Sequence, residues 1–257
     1  MMNMDLIHLD QFWIAAHLPI WVLVLARVSG VCMTAPLTVV PGVDWHLRIL
    51  LSLLLGVVLI PVLEPMIGSL PVGPRVAWLA LMELLVGGLL GLSAGLIVAA
   101  ARQAGDLVAA QAGLSASALF DPETGEELTP LGHLYGLIAL AVFLAMEGPL
   151  VLVGALVESY RAVPAGGLGL NEGAVSQVFA QVGGALALSL RAAAPVAIAL
   201  AVAGIVLGWI GRLAPAVPFL ALSLPVRSML GIVLIFLSLA TLAVTLSQAW
   251  ASWPWGP

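Results

Sequence analysis

Residues 178–210 read VFAQVGGALALSLRAAAPVAIALAVAGIVLGWI, an apolar run holding a single charge, Arg191. About 20 apolar residues in a helix cross the ~30 Å hydrocarbon core of a bilayer, so this run is long enough to span with residues to spare. It has no alternation of period two and no turn residues, so it reads as helix rather than strand. The rest of the chain repeats this character. Of 257 residues, 62% are hydrophobic and 8% are charged, where a soluble domain carries about a quarter charged. A single soluble core cannot hide that much apolar surface. The composition excludes a water-soluble globule and a disordered chain, and points to an all-α integral membrane protein.

Five further apolar segments accompany it, at about 12–40, 47–63, 76–101, 131–157 and 218–246. They make a single membrane domain over 1–257 with about six hydrophobic helices. Several runs are too long for one simple span and contain Pro19, Pro149, Pro195 or Pro225. A proline removes an N–H and clashes one turn back, so long, kinked helices packed on other protein are expected. No ten-residue alternation suggests a transmembrane barrel. The opening MMNMDLIHLD has no basic residue, which is the wrong start for a cleaved signal, so the first segment is expected to remain.

Charge narrows the class further. The net charge is −5, all eight basic residues are Arg, and no basic run exists, so a nucleic-acid partner is not expected. Cys32 is the only cysteine, and the four histidines have no ligand-like spacing, so no metal or cofactor is expected. Arg27, Glu83, Glu147 and Arg191 fall inside apolar runs. An ionised group at mid-bilayer costs roughly 2.5–3.5 kcal/mol on insertion scales, so each needs a partner, a wet cavity or an interface. Arg102 and Asp106, four apart, are a candidate local ion pair. Arginine counts on the two sides differ by one, which leaves membrane orientation open.

Gly91-Leu92-Ser93-Ala94-Gly95 matches the G-x-S-x-G form of a nucleophile elbow. That motif needs a strand-to-helix turn, and here it lies within a helical run, so catalysis is not expected. Gly87, Gly91 and Gly95, spaced by four, instead form a small-residue face for close helix packing, and Gly105 extends it. Two connectors stand out: 102–130, helical and then polar from Asp121–Pro122, and the Gly-rich 160–177. The stretch Gly113, Leu114, Ser115, Ala116, Ser117, Ala118, Leu119, Phe120 is small or apolar and precedes the Asp-Pro turn. It begins a loop at about 113–130 whose apolar side chains would resist wetting in a narrow passage.

Together, ARQAGDLVAAQAGLSASALFDP at 101–122 and FLAMEGPLVLVGALVESYRAVPAG at 143–166 resemble the FliR family of flagellar and type III secretion export-gate proteins. The matching residues are Ala104–Gly105, Gln111, Gly113, Ser115, Asp121–Pro122, Phe143–Leu144, Gly148, Leu150, Ser159, Pro164 and Gly166. Thr34-Ala35-Pro36-Leu37 with Pro41, and Arg212, Ala214–Pro215 and Pro225, extend the likeness to both ends. Pro149 and Ala216 depart from the family's His and Gln. The resemblance implies a core subunit of a helical, pore-forming export gate in the bacterial inner membrane, at the flagellar basal body. It implies FliP-like, FliQ-like and FlhB-like partner subunits, unfolded export substrates in transit, contact with membrane lipid and no enzyme activity. It also implies a plug role for the loop after the third segment. The alternative reading is a small-molecule or ion transporter built on broken helices.

Overall fold

The computed structural model describes residues 3–36, 44–67, 75–114, 129–167, 172–213 and 219–253. These form seven α-helices: α1 Asn3–Thr34, α2 Trp45–Leu63, α3 Arg75–Ala112, α4 Pro130–Ala145, α5 Gly148–Ala162, α6 Glu172–Leu213 and α7 Phe219–Ala251. A short 3-10 turn, Glu64–Met66, follows α2. No strand occurs among the described residues. The protein is therefore all-α, and five of its helices are long and apolar enough to cross a membrane, or six with α4 and α5 taken as one broken span.

Several boundaries differ from the sequence expectation, with α1 starting at Asn3 rather than at about 12, α6 at Glu172 rather than at about 178, and α7 ending at Ala251 rather than at about 246. The apolar segment at 131–157 is divided, with α4 ending at Ala145 and α5 starting at Gly148. Pro149 explains this: it has no N–H to give, and its ring clashes with the carbonyl four residues back, at Ala145. Glu147, in the break, takes the left-handed conformation with φ 55°, which is uncommon for a residue bearing a Cβ. Pro19, Pro195 and Pro225 do not break their helices, which continue through all three. Helix α3 also runs on to Ala112, so the first part of the connector at 102–130 is a continuation of that helix.

Two compact units emerge from the chain, Met1–Gly95 with Pro149–Ala180, and Leu96–Gly148 with Gln181–Pro257. In the first unit, α1 and α2 form a hairpin in which the Leu25 side chain fills the space over Gly56. Helix α1 lies directly on the N-terminal part of α3. A Cβ at Gly30 would sit 2.7 Å from the Gly88 nitrogen, one at Gly91 2.6 Å from the Val31 oxygen, and one at Gly95 2.8 Å from the Thr34 oxygen. Gly87 is turned onto the Arg27 backbone in the same way. The glycine face expected from the sequence thus packs on α1 of the same chain, backbone to backbone. The Thr34 hydroxyl seals the contact by donating to the Gly88 carbonyl at 2.9 Å.

The second unit uses the same device. Gly105 faces Leu131 and Gly132, with a Cβ there meeting the Leu131 oxygen at 2.7 Å. The start of α4 is held by Asp106, whose carboxylate accepts from the Thr129 hydroxyl at 2.6 Å, while Thr129 caps the helix by accepting from Gly132 N–H at 3.0 Å. Asp106 is therefore engaged with Thr129 rather than with Arg102, whose stem lies over Gly136. Ser228 on α7 donates to the Ala112 carbonyl at 3.0 Å, and Phe143 and Trp250 stack with centroids 4.6 Å apart.

The glycine contacts set up a contrast. Leucine at Gly91 drives a side chain into main-chain atoms that cannot step aside, and overpacking of this kind costs about 1–3 kcal/mol or more. Gly184, on α6, has open space where its Cβ would stand, and alanine there gains helix propensity of about 0.5–1 kcal/mol. Thermal unfolding of the detergent-solubilised protein is expected to fall several degrees for Gly91→Leu and to hold or rise for Gly184→Ala.

Candidate functional site

The charges inside the apolar runs define the site. Arg27, on α1, has a side chain with no exposed surface, and Glu83, on α3, is 2% exposed. Their side chains meet through Arg27 Nε and Glu83 Oε2 at 2.5 Å. Neither group could be buried alone without a penalty of several kcal/mol, so the pair is the condition for burying both. The other two guanidinium nitrogens and the second carboxylate oxygen each have a partner as well. Arg27 donates from Nη1 to the Ser159 hydroxyl at 3.1 Å and from Nη2 to the Val163 carbonyl at 3.0 Å. Glu83 accepts a bond from the Gly166 N–H at 2.9 Å through its other oxygen. The Tyr160 ring lies under the guanidinium, 3.9 Å from its carbon to the ring centroid, a cation–π contact of the kind that strengthens when water is excluded.

Local sequence explains why these groups converge. Gly87, one turn after Glu83, removes the side chain that would hold α1 away, and brings α3 onto the Arg27 backbone. Ser159 and Tyr160 leave α5 one turn before its end, and the chain then turns at Val163–Gly167. Gly166, at φ 78°, takes a left-handed conformation that suits glycine, and its N–H bonds to Glu83. Three helices and a turn are thus cross-linked through one ion pair.

The other candidate residues lie elsewhere. Glu147 and Arg191 are exposed on the chain, at the α4–α5 break and on α6. Gly113, at φ 74°, ends α3 beside Leu224, and Leu114 borders an apolar pocket with Thr129 and Pro130. Ser115, Ala116, Ser117, Ala118, Leu119 and Phe120 lie outside the described residues. Ser93 sits within α3, 5% exposed, and donates to the Leu90 carbonyl at 2.6 Å, so it occupies a helix interior and not an elbow. Among the described residues no group of three His, Cys, Asp or Glu could hold a metal ion. Sequence reasoning missed two pairs among the described residues, His17 Nε2 with Glu64 Oε1 at 3.0 Å and the exposed Arg161 Nη1 with Glu158 Oε2 at 2.7 Å. It also missed the polar partners Ser159, Tyr160 and the Val163–Gly166 turn. Their signal was present: Ser159, Pro164 and Gly166 stand among the residues that carry the family likeness.

Comparison with known proteins places these features in a family. The profile of "Bacterial export proteins, family 1" matches residues 18–253. The flagellar biosynthetic protein FliR of Escherichia coli (strain K12) is 29% identical over 210 residues, covering 81% of this chain and 79% of that protein. FliR of Pectobacterium carotovorum subsp. carotovorum is 28% identical over 225 residues, covering 86% and 82%. FliR of Caulobacter vibrioides (strain ATCC 19089 / CIP 103742 / CB 15) is 26% identical over 247 residues, covering 92% and 94%.

Removing one half of a buried ion pair leaves the other charge stranded, at about 3–5 kcal/mol. Arg27→Met and Glu83→Leu are each expected to lower the unfolding temperature sharply and to reduce the amount of protein in the membrane. The double variant is expected to be less harmed than the sum of the two. A double-mutant cycle on thermal stability measures this coupling, and additive losses would mean that the two groups act independently.

Proposed function

The chain belongs to family 1 of the bacterial export proteins, as a flagellar biosynthetic protein of the type III export apparatus, and from that membership we propose that it forms part of the channel through which unfolded substrates leave the cell. The observation that carries this reading is the family match over residues 18–253. In this reading the chain sits in the inner membrane at the flagellar basal body, as one membrane domain over 1–257. It assembles with FliP-like, FliQ-like and FlhB-like subunits and has no catalytic role of its own.

Two physical features support an assembly. Helix α3 and the apolar part of α6, Ser176–Leu213, are each 38 residues long, about 57 Å at 1.5 Å per residue, nearly twice a ~30 Å hydrocarbon core. Only 17% of an 18-residue stretch of that part of α6 is buried within the chain, and Phe179, Trp209 and Leu213 stand exposed on the helix. Apolar surface reaching beyond a bilayer's thickness requires protein to cover it. Arg191, exposed along the same helix, likewise calls for an aqueous or protein neighbour rather than lipid tails. Gly113–Phe120 is assigned the closing loop of the channel.

Deleting the gene is expected to abolish motility and the appearance of flagellar export substrates outside the cell, both restored by the wild-type chain. Motility retained together with loss of uptake of a small solute would overturn the proposal in favour of a transporter. For the loop, deleting Ser115–Leu119 is expected to leave co-purification with the partner subunits intact and to raise ion leakage across the membrane. Unchanged conductance in an intact complex would remove the loop's closing role.

A further inference from the structure

One apolar groove in the first unit lies one helical turn from a cation, Arg48. It is lined by Val31 and Cys32 of α1, Ala35 just after it, Leu51 and Val58 of α2 and Leu152 of α5, and its volume is about 350 Å³. At ~30 Å³ for each water-sized volume that is room for on the order of a dozen such units, and a methylene needs nearly the same space. Its walls are apolar side chains throughout, so water in it would lack partners. The α1 and α2 residues belong to candidate membrane spans, so acyl chains are the neighbours of an open groove at this depth.

Arg48 stands one turn of α2 before Leu51, the first α2 residue of the groove. On α2 it stands three, seven and ten residues before Leu51, Leu55 and Val58, all of which line the groove, so the four share one helix face. Among the described residues Arg48 has no ion pair, and its Nε is buried with no hydrogen-bond partner. Trp45 precedes it by one turn and is 61% exposed, beside His46. Tryptophan near a basic residue at the end of an apolar helix is the pattern of a membrane–water interface. The groove therefore descends from a headgroup-level cation into hydrocarbon-level apolar walls.

We propose that this groove holds one acyl chain of an anionic phospholipid whose phosphate sits on Arg48. The guanidinium is a planar fork suited to phosphate, and the acyl chain fills the cleft between α1, α2 and α5. A zwitterionic lipid offers the same tail and a phosphate whose charge is offset by its own amine, so the site favours the anionic lipid. This assignment is independent of the export reading.

The test is native mass spectrometry of the full-length chain, exchanged into detergent with equal phosphatidylglycerol and phosphatidylcholine of matched tails. Retained phosphatidylglycerol is expected to exceed phosphatidylcholine about fivefold, the ratio for one basic residue against an anionic headgroup. Arg48→Gln is expected to remove the preference, Arg48→Lys to keep most of it, and Arg75→Gln, an exposed arginine at the start of α3, to leave it unchanged. Val58→Trp, which fills the groove from an exposed position, is expected to lower retention of both lipids. Circular dichroism identifies any variant that has lost its helices, and the lysine variant then carries the comparison. Equal retention of the two lipids, or an unchanged preference in Arg48→Gln, would overturn the proposal. So would a lipid-free chain recovered from membranes with a partner protein that Val58→Trp releases, because the groove would then hold protein.

Discussion

The Arg27–Glu83 ion pair is the constraint on which the first unit depends. A chain with 8% charged residues places two of them, fully enclosed, between helices. Such a pair is a weak source of net stability, because the attraction mostly offsets the cost of leaving water. Its strength is in specification. The guanidinium accepts one arrangement of a carboxylate, a hydroxyl, a carbonyl and a ring, and supplying all four requires α1, α3, α5 and the Val163–Gly167 turn to occupy one register. Apolar packing alone would tolerate slippage by a turn, since one leucine face resembles the next.

The same chain leaves much of its apolar surface uncovered. In a soluble protein, exposed Leu54, Trp209, Phe236 and Leu237 would be a liability for aggregation. Here they agree with a protein surrounded by lipid and by other subunits. The cross-linked α1–α3–α5 contact and the sparsely covered α6 describe two regimes within one sequence: a part that specifies its own structure, and a part whose surroundings complete it.

Much of this was legible in the sequence. Composition and run length gave the helical membrane class, because apolar content is a bulk property that tertiary context does not alter. Gly87, Gly91 and Gly95 announced a close contact by their spacing, though not which helix they would meet. Arg27 and Glu83 were recognisable as costly residues, but their pairing spans 56 positions, and no periodic rule reaches that far. A kink at Pro149 was expected but a full break was not, because four other helices, α1, α2, α6 and α7, continue through an internal proline. Pro149 differs in following a glycine, whereas Pro19, Pro61, Pro195 and Pro225 follow Leu18, Ile60, Ala194 and Leu224. The polar partners on α5 were hidden for the opposite reason: serine, tyrosine and a main-chain carbonyl are ordinary until a cation is brought to them.

The glycine contact between α1 and α3 has an evolutionary consequence. Where two side chains touch, a loss on one surface can be matched by a gain on the other, and sequence drifts while shape is kept. Where main chain touches main chain, as at Gly30, Gly87 and Gly91, there is nothing to trade. Every amino-acid replacement at those positions adds atoms, and no neighbouring substitution can remove an equal amount from a carbonyl group. This seam is therefore a one-way boundary in sequence space: distant descendants of the chain can exchange nearly every leucine around it, but the two helices keep their glycines or move apart.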